Sequence, residues 1–287
     1  GAYMKLRIVP PRTGITWVRS GIFVFRRQPL AMAALFFMTM AAMSLVSVLP
    51  LIGPALALML LPSATLAMMV ASAEAVQGRF PTPAVLLVAF RTGRQRLNHM
   101  LQLGALYAVG FLGVIALSAL FDGGQFAQVY LGGAPLTQET VENSDFQLAM
   151  WVAMVLYLPL SLLFWHAPGL VHWHGVPPVK SLFFSIVACA RNFGAFLVYG
   201  LGWLVVFAIG GVLVSLLSGL LAVVGVLPPG NAPAAMGGIM VGLAMIMATM
   251  MFSSIVFTFR DCFEPPEQPG AKAPDDDATP PLPAEPD

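Results

Sequence analysis

Six long runs without a charged residue alternate along the chain with short segments that mix basic and apolar residues. The uncharged runs cover residues 29–49, 55–73, 100–121, 146–165, 193–227 and 234–259. A helix needs about 20 apolar residues to cross a hydrocarbon core of about 30 Å, and each run is close to that length or longer. The pattern therefore predicts an all-α integral membrane protein with about six transmembrane helices.

One mixed segment precedes each successive pair of uncharged runs. Their polar residues recur at helical spacing opposite an apolar side, which is typical of an amphipathic helix lying on a membrane surface. The polar positions are Arg19, Arg26 and Arg27 in the first segment; Arg91, Arg94, Gln95 and Asn98 in the second; and Lys180, Ser181, Ser185, Arg191 and Asn192 in the third. We expect three membrane hairpins, each preceded by an interfacial helix. For the first segment, an extension of the first spanning helix is the alternative.

The charges on the connecting segments predict the orientation. The loop 122–145 contains Asp122, Glu139, Glu142 and Asp145 but no Lys or Arg, whereas the junctions before it are rich in Arg. Because basic loops stay on the cytoplasmic side, we expect this loop outside and both termini in the cytoplasm. The run 193–227 is too long for one upright helix, so it requires tilt, an outward extension or a break near Gly210 and Gly211.

The same order of features occurs three times: proline, mixed segment, basic residue beside an amide, and hairpin. The repeat units are residues 10–78, 79–175 and 176–262, which together form a membrane domain within residues 1–262. The pattern predicts pseudo-threefold packing, although the rules of membrane insertion alone would produce much of it. Residues 263–287 are acidic and rich in proline, which predicts a disordered cytoplasmic tail.

Composition agrees with a membrane protein and gives few signs of chemistry. The chain is 58% hydrophobic and 9% charged, whereas about a quarter of the residues of a soluble protein are charged. The net charge of +1 gives no reason to expect a nucleic-acid partner. Cys189 and Cys262 lie near predicted cytoplasmic edges and have no CxxC spacing, so neither a disulfide nor a metal site is predicted from them.

The densest group of reactive side chains lies at the junction 164–192. His166, His172 and His174 alternate with Trp165 and Trp173, and neutral imidazoles can bind a metal or haem. His172 and His174 point to different sides of a helix, and no carboxylate or cysteine lies within the cluster. Anchoring at the membrane interface is therefore the preferred interpretation, and we predict no cofactor.

Two further sets of residues are candidates for contacts with lipid or protein. Basic clusters at the cytoplasmic edge favour anionic head groups, although they also set the orientation of the chain. Those candidates are Arg26, Arg27, Arg91, Arg94, Arg96, Lys180, Arg191 and Asn192. Small residues four apart allow helices to approach closely, within the chain or with another protein. Those candidates are Gly211, Ser215, Gly219, Gly238 and Gly242.

Three segments carry a resemblance to known proteins: 4–10, 25–30 and 165–183. They resemble a group of uncharacterised multi-pass inner-membrane proteins of beta-proteobacteria, and the likeness covers nearly all of the chain except the acidic tail. More distantly, the pattern is similar to bacterial membrane domains, one of which accompanies glycerophosphodiester phosphodiesterases. The catalytic domain of that family has no counterpart here, so the resemblance implies no activity and no site residues.

The uncharged middle of every run is the most informative functional feature. Ion-coupled transporters and proton pumps usually carry ionisable groups there, so active transport is disfavoured. The sequence favours a non-enzymatic inner-membrane protein that acts through helix packing or protein contacts, such as an accessory or assembly subunit. A passive transporter or lipid-handling protein is the alternative, and an enzyme is third. The expected partners are the lipid bilayer and either another membrane protein or a second copy of the chain.

Overall fold

The computed structural model describes residues 5–266, and all regular elements within them are helical. In chain order they are α1 Thr13–Arg27, α2 Pro29–Ser47, α3 Gly53–Val76, a 3₁₀ helix Pro83–Phe90, α4 Arg94–Asp122, α5 Gln125–Tyr130, α6 Gln138–Glu142, α7 Ser144–Trp165, α8 Ala167–His174, α9 Pro178–Arg191, α10 Phe193–Val224 and α11 Ala232–Cys262. Six segments in the described range are long and apolar enough to cross a membrane, formed by α2, α3, α4, α7 with α8, α10 and α11. The predicted all-α membrane fold with about six spans is confirmed.

Helix α3 lies at the centre of the bundle. It packs against α2, α4, α8 and α11, while α4 also packs against α7, and α10 packs against α11. Leu66, Met68 and Met69 of α3 are almost completely buried in these contacts. Arg96, Arg191 and Arg260 all lie at one end of the bundle, which we call the basic end; the opposite end is the outer end. The predicted threefold repeat and its unit boundaries stay a prediction.

Helix α1 crosses the basic end of the bundle with one face buried. Gly14, Trp17 and Gly21 on that face are buried against α10 and α11, and Val24 continues the buried face towards α2 and α3. Its arginines point away from the bundle. Gln28 adopts a non-helical conformation between α1 and α2, so α1 is not a continuous extension of the first span; its place at the membrane surface stays a prediction.

The second mixed segment differs from the predicted amphipathic α-helix. Residues 83–90 form a 3₁₀ helix that ends before Arg91, and Gly93 then adopts a φ of 102°. A positive φ interrupts a right-handed helix and suits glycine. Arg94 therefore starts the spanning helix α4, and it does not share a continuous helical face with Arg91.

The third mixed segment, α9, is a helix whose polar stripe faces inwards. Ser181, Ser185 and Asn192 are buried, whereas Val179 and Phe183 are exposed. The sequence analysis placed the serines on a solvent-facing stripe. In lipid, however, small polar residues pack between helices and large apolar side chains can face the acyl chains, which explains the difference.

Helix α10 continues without interruption through Gly210 and Gly211. Its 32 residues correspond to about 48 Å at 1.5 Å per residue, which exceeds the hydrocarbon core of about 30 Å. Of the three alternatives, the break near Gly210 and Gly211 is excluded by the continuous helix, which leaves tilt or extension beyond the core.

Glycines bring the backbones of several helices into direct contact. A Cβ atom at Gly104 of α4 would overlap the carbonyl oxygen of Met59 on α3. At Gly21 of α1, a Cβ would lie 2.6 Å from the Cβ of Ser254 on α11. Since a Cβ cannot occupy either place without moving backbone, the arrangement of α1, α3, α4 and α11 depends on these glycines.

We predict that Gly104→Leu destabilises the bundle. Forcing a side chain into a packed helix contact costs about 1–3 kcal/mol, and here the obstacle is backbone. Gly113→Leu on the same helix is the matched control, because a Cβ there meets no atom within 4 Å. Thermal unfolding of the purified proteins in mild detergent should show a lower midpoint for Gly104→Leu alone, and equal midpoints for the two variants would contradict the packing.

Candidate functional site

The junction between α7 and α8 is a break in one membrane-crossing segment. Pro168, in the first turn of α8, has no N–H group, and its ring disfavours a continuous helix with the carbonyl of Phe164. Ser185 of α9 enters this break: its Oγ accepts a bond from the backbone N of His166 at 2.9 Å and donates to the carbonyl of Leu162 at 2.7 Å. One hydroxyl thus replaces the helical bond that these two groups would otherwise form with each other.

The imidazole of His166 is completely buried within the protein, so its contacts are with neighbouring helices; anchoring at the membrane interface stays a prediction. Thr258 Oγ1 donates to the carbonyl of Ile255 at 2.7 Å and accepts from Trp165 Nε1 at 3.1 Å. The 3.1 Å contact between His166 Nε2 and the same oxygen therefore requires a proton on Nε2. That tautomer leaves Nδ1 as an acceptor with no hydrogen-bond partner among the described residues.

His172 and His174 lie at the C-terminal end of α8 and are half-buried. Arg96 of α4 donates from Nη1 to the carbonyl oxygen of His172, so its charge lies beside the negative end of the α8 dipole. Trp173 stacks on Phe259 with the ring centroids 5.4 Å apart. Arg96 is thus engaged in joining α4 to α8.

The three histidines do not form a shared ligand set. Within residues 5–266, no group of three or more His, Cys, Asp or Glu side chains is arranged to hold a metal ion. The cluster is better described as one buried imidazole that contacts Thr258 and two half-buried rings, of which His172 lies against Trp173 and His174 against Phe259.

Asn192 contacts both ends of the described chain, because it bonds to the segment 7–9 and its Nδ2 lies 3.7 Å from Cys262 Sγ. Its Oδ1 accepts from the backbone N of Val9 at 2.8 Å, and its Nδ2 donates to the carbonyl of Arg7 at 3.0 Å. The backbone N of Arg7 also donates to the carbonyl of Cys262 at 2.8 Å, and the N of Glu264 donates to the carbonyl of Lys5. The sequence analysis selected Asn192 as a lipid or interface residue, and nothing in the local pattern pointed to this buried role.

The other basic candidates are on the surface. Arg26, Arg27, Arg91, Arg94, Lys180 and Arg191 are all exposed, and Arg27 lies over the ring of Phe23 at 5.7 Å. Their position allows contact with water or with lipid head groups.

A polar cavity opens at the basic end. It has a volume of about 460 Å³ and is lined by residues that include Arg7, Arg260, Asp261 and His174. Asp261 accepts a 2.7 Å bond from the indole N of Trp17, so the carboxylate is already used to hold α1 against α11. The cavity combines basic and acidic groups, and its lining specifies no single ligand.

A second cavity, also of about 460 Å³, opens sideways within the membrane-crossing region, and we call it the lateral groove. Its walls are α7 and α10, which make no extensive contact with each other, and α3, α4 and α11 contribute the remaining lining residues. The lining is aromatic and aliphatic and contains no Asp, Glu, Lys, Arg or His. Sequence patterns did not locate this groove, because it depends on which helices fail to meet.

The small residues selected for helix packing lie on the outer halves of α10 and α11. A Cβ at Gly211, Gly219, Gly238 or Gly242 would meet no atom within 4 Å, and Ser215 is exposed. Packing among residues 5–266 therefore does not use these positions. We call this set of five residues the small-residue face.

Both cysteines are free thiols in buried positions. Burial raises the pKa of the Cys189 thiol above its ordinary value, and the nearby Cys262 raises it further. The thiolate, which is the nucleophilic form, is therefore disfavoured at neutral pH.

Comparison with curated proteins identifies a clear relative. A protein described as a probable inner membrane protein of Burkholderia thailandensis is 40% identical over 271 residues, which cover 93% of this chain and 97% of that protein. No profile of a known protein family matches the chain, and no solved structure matches it. The distant likeness to membrane domains beside glycerophosphodiester phosphodiesterases gains no support from these comparisons.

We predict that Ser185→Ala weakens the junction between α7 and α8. The change leaves the N–H of His166 and the carbonyl of Leu162 without the bonding hydroxyl, at a cost of about 1–3 kcal/mol. Ser47→Ala is the control, because that exposed hydroxyl bonds only within its own helix. Thermal unfolding in detergent should show a loss for Ser185→Ala alone, and an unchanged midpoint would disprove the bridging role.

We predict slow alkylation of Cys189 in native membranes. The raised pKa keeps the thiol protonated, and burial blocks access to a maleimide reagent. The control is a Lys180→Cys variant, which supplies an exposed thiol on the same helix. Both the control and the parent protein also carry Cys262→Ser, so Cys189 is the parent's remaining thiol and the control has thiols at positions 180 and 189. Mass spectrometry should find rapid modification at position 180 and modification of Cys189 only after unfolding in detergent; equal rates would contradict the burial.

Proposed function

We propose a function on the premise that the chain belongs to the family of inner-membrane proteins represented by the Burkholderia thailandensis relative. In this proposal it is a non-enzymatic accessory or assembly subunit of a bacterial inner-membrane complex. It acts by binding a transmembrane helix of another membrane protein. The observation that carries the proposal is the open space around the small-residue face.

The distribution of glycines supports a docking role for that face. Gly14, Gly21 and Gly104 are pressed against neighbouring helices, whereas seven helical glycines have no atom within 4 Å of a Cβ position. Five of these seven lie in the outer halves of α10 and α11: Gly211, Gly219, Gly237, Gly238 and Gly242. In lipid, helices associate by close backbone approach at small residues. The outer part of α10 and α11 has the surface for such an approach, and no other helix within residues 5–266 covers these glycines.

The exposure of α10 supports the same conclusion. Only 17% of the residues in its most apolar stretch are buried against the rest of the protein, compared with 44% for α3 and for α4. A helix with this little support from its own chain has most of its surface available to lipid or to another protein.

The proposed orientation places both termini and the basic end in the cytoplasm. The exposed arginines at that end would contact anionic head groups, and the acidic loop between α4 and α7 would face outwards. The small-residue face then lies in the outer half of the membrane, where a partner helix would bind.

A second candidate function is passive transport or lipid handling, and the lateral groove favours it. The groove offers a space within the membrane that is open to one side and uncharged. Its lining has no ionisable group of the type that couples transport to an ion gradient, so a passive process fits better than a pump.

We predict that Gly238→Leu with Gly242→Leu prevents association with the partner. Two large side chains would hold the approaching helix away, and substitution of Leu for Gly does not oppose helix formation. Gly113→Leu is the control, since it fills equally open space on α4. The mass of particles extracted directly into nanodiscs should exceed that of one chain for the natural sequence and for Gly113→Leu, and fall to one chain for the double variant.

A photoreactive residue at position 242 identifies what occupies the face. An adduct to one transmembrane segment of a defined protein, absent when the same residue is placed at position 113, supports the proposal. An adduct of two copies of this chain replaces the partner with self-association. Particles of one chain in every sample, without an adduct, would refute the function.

A further inference from the structure

We propose that the lateral groove binds one acyl chain of a bilayer phospholipid between α7 and α10. The inference deepens the second candidate function and does not depend on docking at the small-residue face.

The position of the groove limits what can enter it. Along α10 the lining runs from Phe196 to Phe207, which corresponds to about 16 Å of helix. This is about half of a hydrocarbon core of about 30 Å, measured from near the basic end towards the middle of the membrane. The walls end in Leu158 and Leu204, whose side chains are mostly exposed. The medium beside the opening is therefore the acyl region of one leaflet.

Most polar atoms of the lining are committed to bonds within the protein; the indole N–H of Trp203 is an exception, because it is buried without a hydrogen-bond partner among the described residues. Tyr107 and Tyr157 share a hydrogen bond of 3.1 Å, and Tyr199 bonds to Ser254 of α11 at 2.5 Å. Thr65 and Ser161 donate to carbonyls of their own helices. The surface offered to a ligand is consequently made of rings and methyl groups, with no charge to hold water or an ion. This chemistry matches a hydrocarbon chain.

The size of the groove favours an acyl chain over a transmembrane helix as its occupant. A volume of about 460 Å³ lies within the range of about 300–1,000 Å³ found for small-molecule sites. A helix with its side chains is about 10–12 Å across and needs a long open face, such as the outer half of α10.

On the α10 wall, Gly200 leaves the space that the acyl chain would occupy. It lines the groove, is exposed, and has no atom within 4 Å of a Cβ position. A larger side chain there would occupy the groove without moving a neighbouring helix. The substitution Gly200→Leu therefore removes the site while keeping α10 helical.

The test uses phospholipids brominated in the acyl chain, which quench the fluorescence of nearby indoles. Of the five tryptophans, Trp165 and Trp203 line the groove, whereas Trp151 is exposed elsewhere on α7; all measurements are therefore made with Trp151→Phe in nanodiscs. Trp17 and Trp173 lie outside the lining and contribute the same background fluorescence to every variant. Brominated lipid should quench a large part of the remaining fluorescence, and Trp203→Phe should remove much of that quenched part. Gly200→Leu should reduce the quenching several-fold, while Gly113→Leu should leave it unchanged.

Native mass spectrometry after detergent exchange gives a second readout. A retained phospholipid on the Gly113→Leu protein, lost from Gly200→Leu, supports the proposal. Equal quenching in Gly200→Leu and Gly113→Leu would overturn it, and so would retention of the same phospholipid by both. Docking at the small-residue face is tested by particle mass, whereas acyl-chain binding is tested by quenching and by lipid retention. Failure of one proposal can therefore be recognised without the other.

Discussion

The need to satisfy backbone polar groups away from water governs the arrangement of this bundle. Within a membrane, an unbonded N–H or carbonyl costs several kcal/mol, yet the chain interrupts one crossing segment between α7 and α8. Ser185 makes that interruption tolerable, because one hydroxyl accepts from His166 and donates to Leu162. This demand fixes the rotation of α9, which turns its serines inwards and leaves Phe183 exposed.

Helix α11 also satisfies its buried polar groups by hydrogen bonds, in the half that is nearer the basic end. Thr249, Ser253, Ser254 and Thr258 are buried, and each donates its hydroxyl to a carbonyl of its own helix. Each oxygen then keeps the capacity to accept, and two of them use it: Thr258 for Trp165, and Ser254 for the hydroxyl of Tyr199. Small hydroxyl residues thus allow close packing and also bind α7 and α10 to α11.

The sequence predicted features that depend on neighbouring residues better than features that depend on residues far apart in the chain. The uncharged runs predicted the spanning helices, because length and apolarity alone decide whether a segment can cross lipid. Local patterns were less reliable at the mixed segments, where Gly93 divided one predicted face and tertiary contacts turned Ser181 and Ser185 inwards. The roles of His166 and Asn192 were beyond local reasoning, since their partners Thr258 and Val9 are distant in the chain. The groove was equally inaccessible, because it is defined by two helices that do not pack together.

The two ends of the bundle differ in how fully their packing surfaces are covered by helices of the same chain. At the basic end, Asn192 and Trp17 join segments from opposite ends of the described chain, and Gly14 and Gly21 allow no larger residue. Towards the outer end, α10 and α11 carry glycines at which a Cβ atom would meet no described atom within 4 Å. Glycine in a helix interior costs about 1 kcal/mol relative to alanine, and tight packing offsets that cost at Gly21 but not at Gly238. A partner helix at the small-residue face, as proposed above, would offset that cost by the same close approach that offsets it at Gly21.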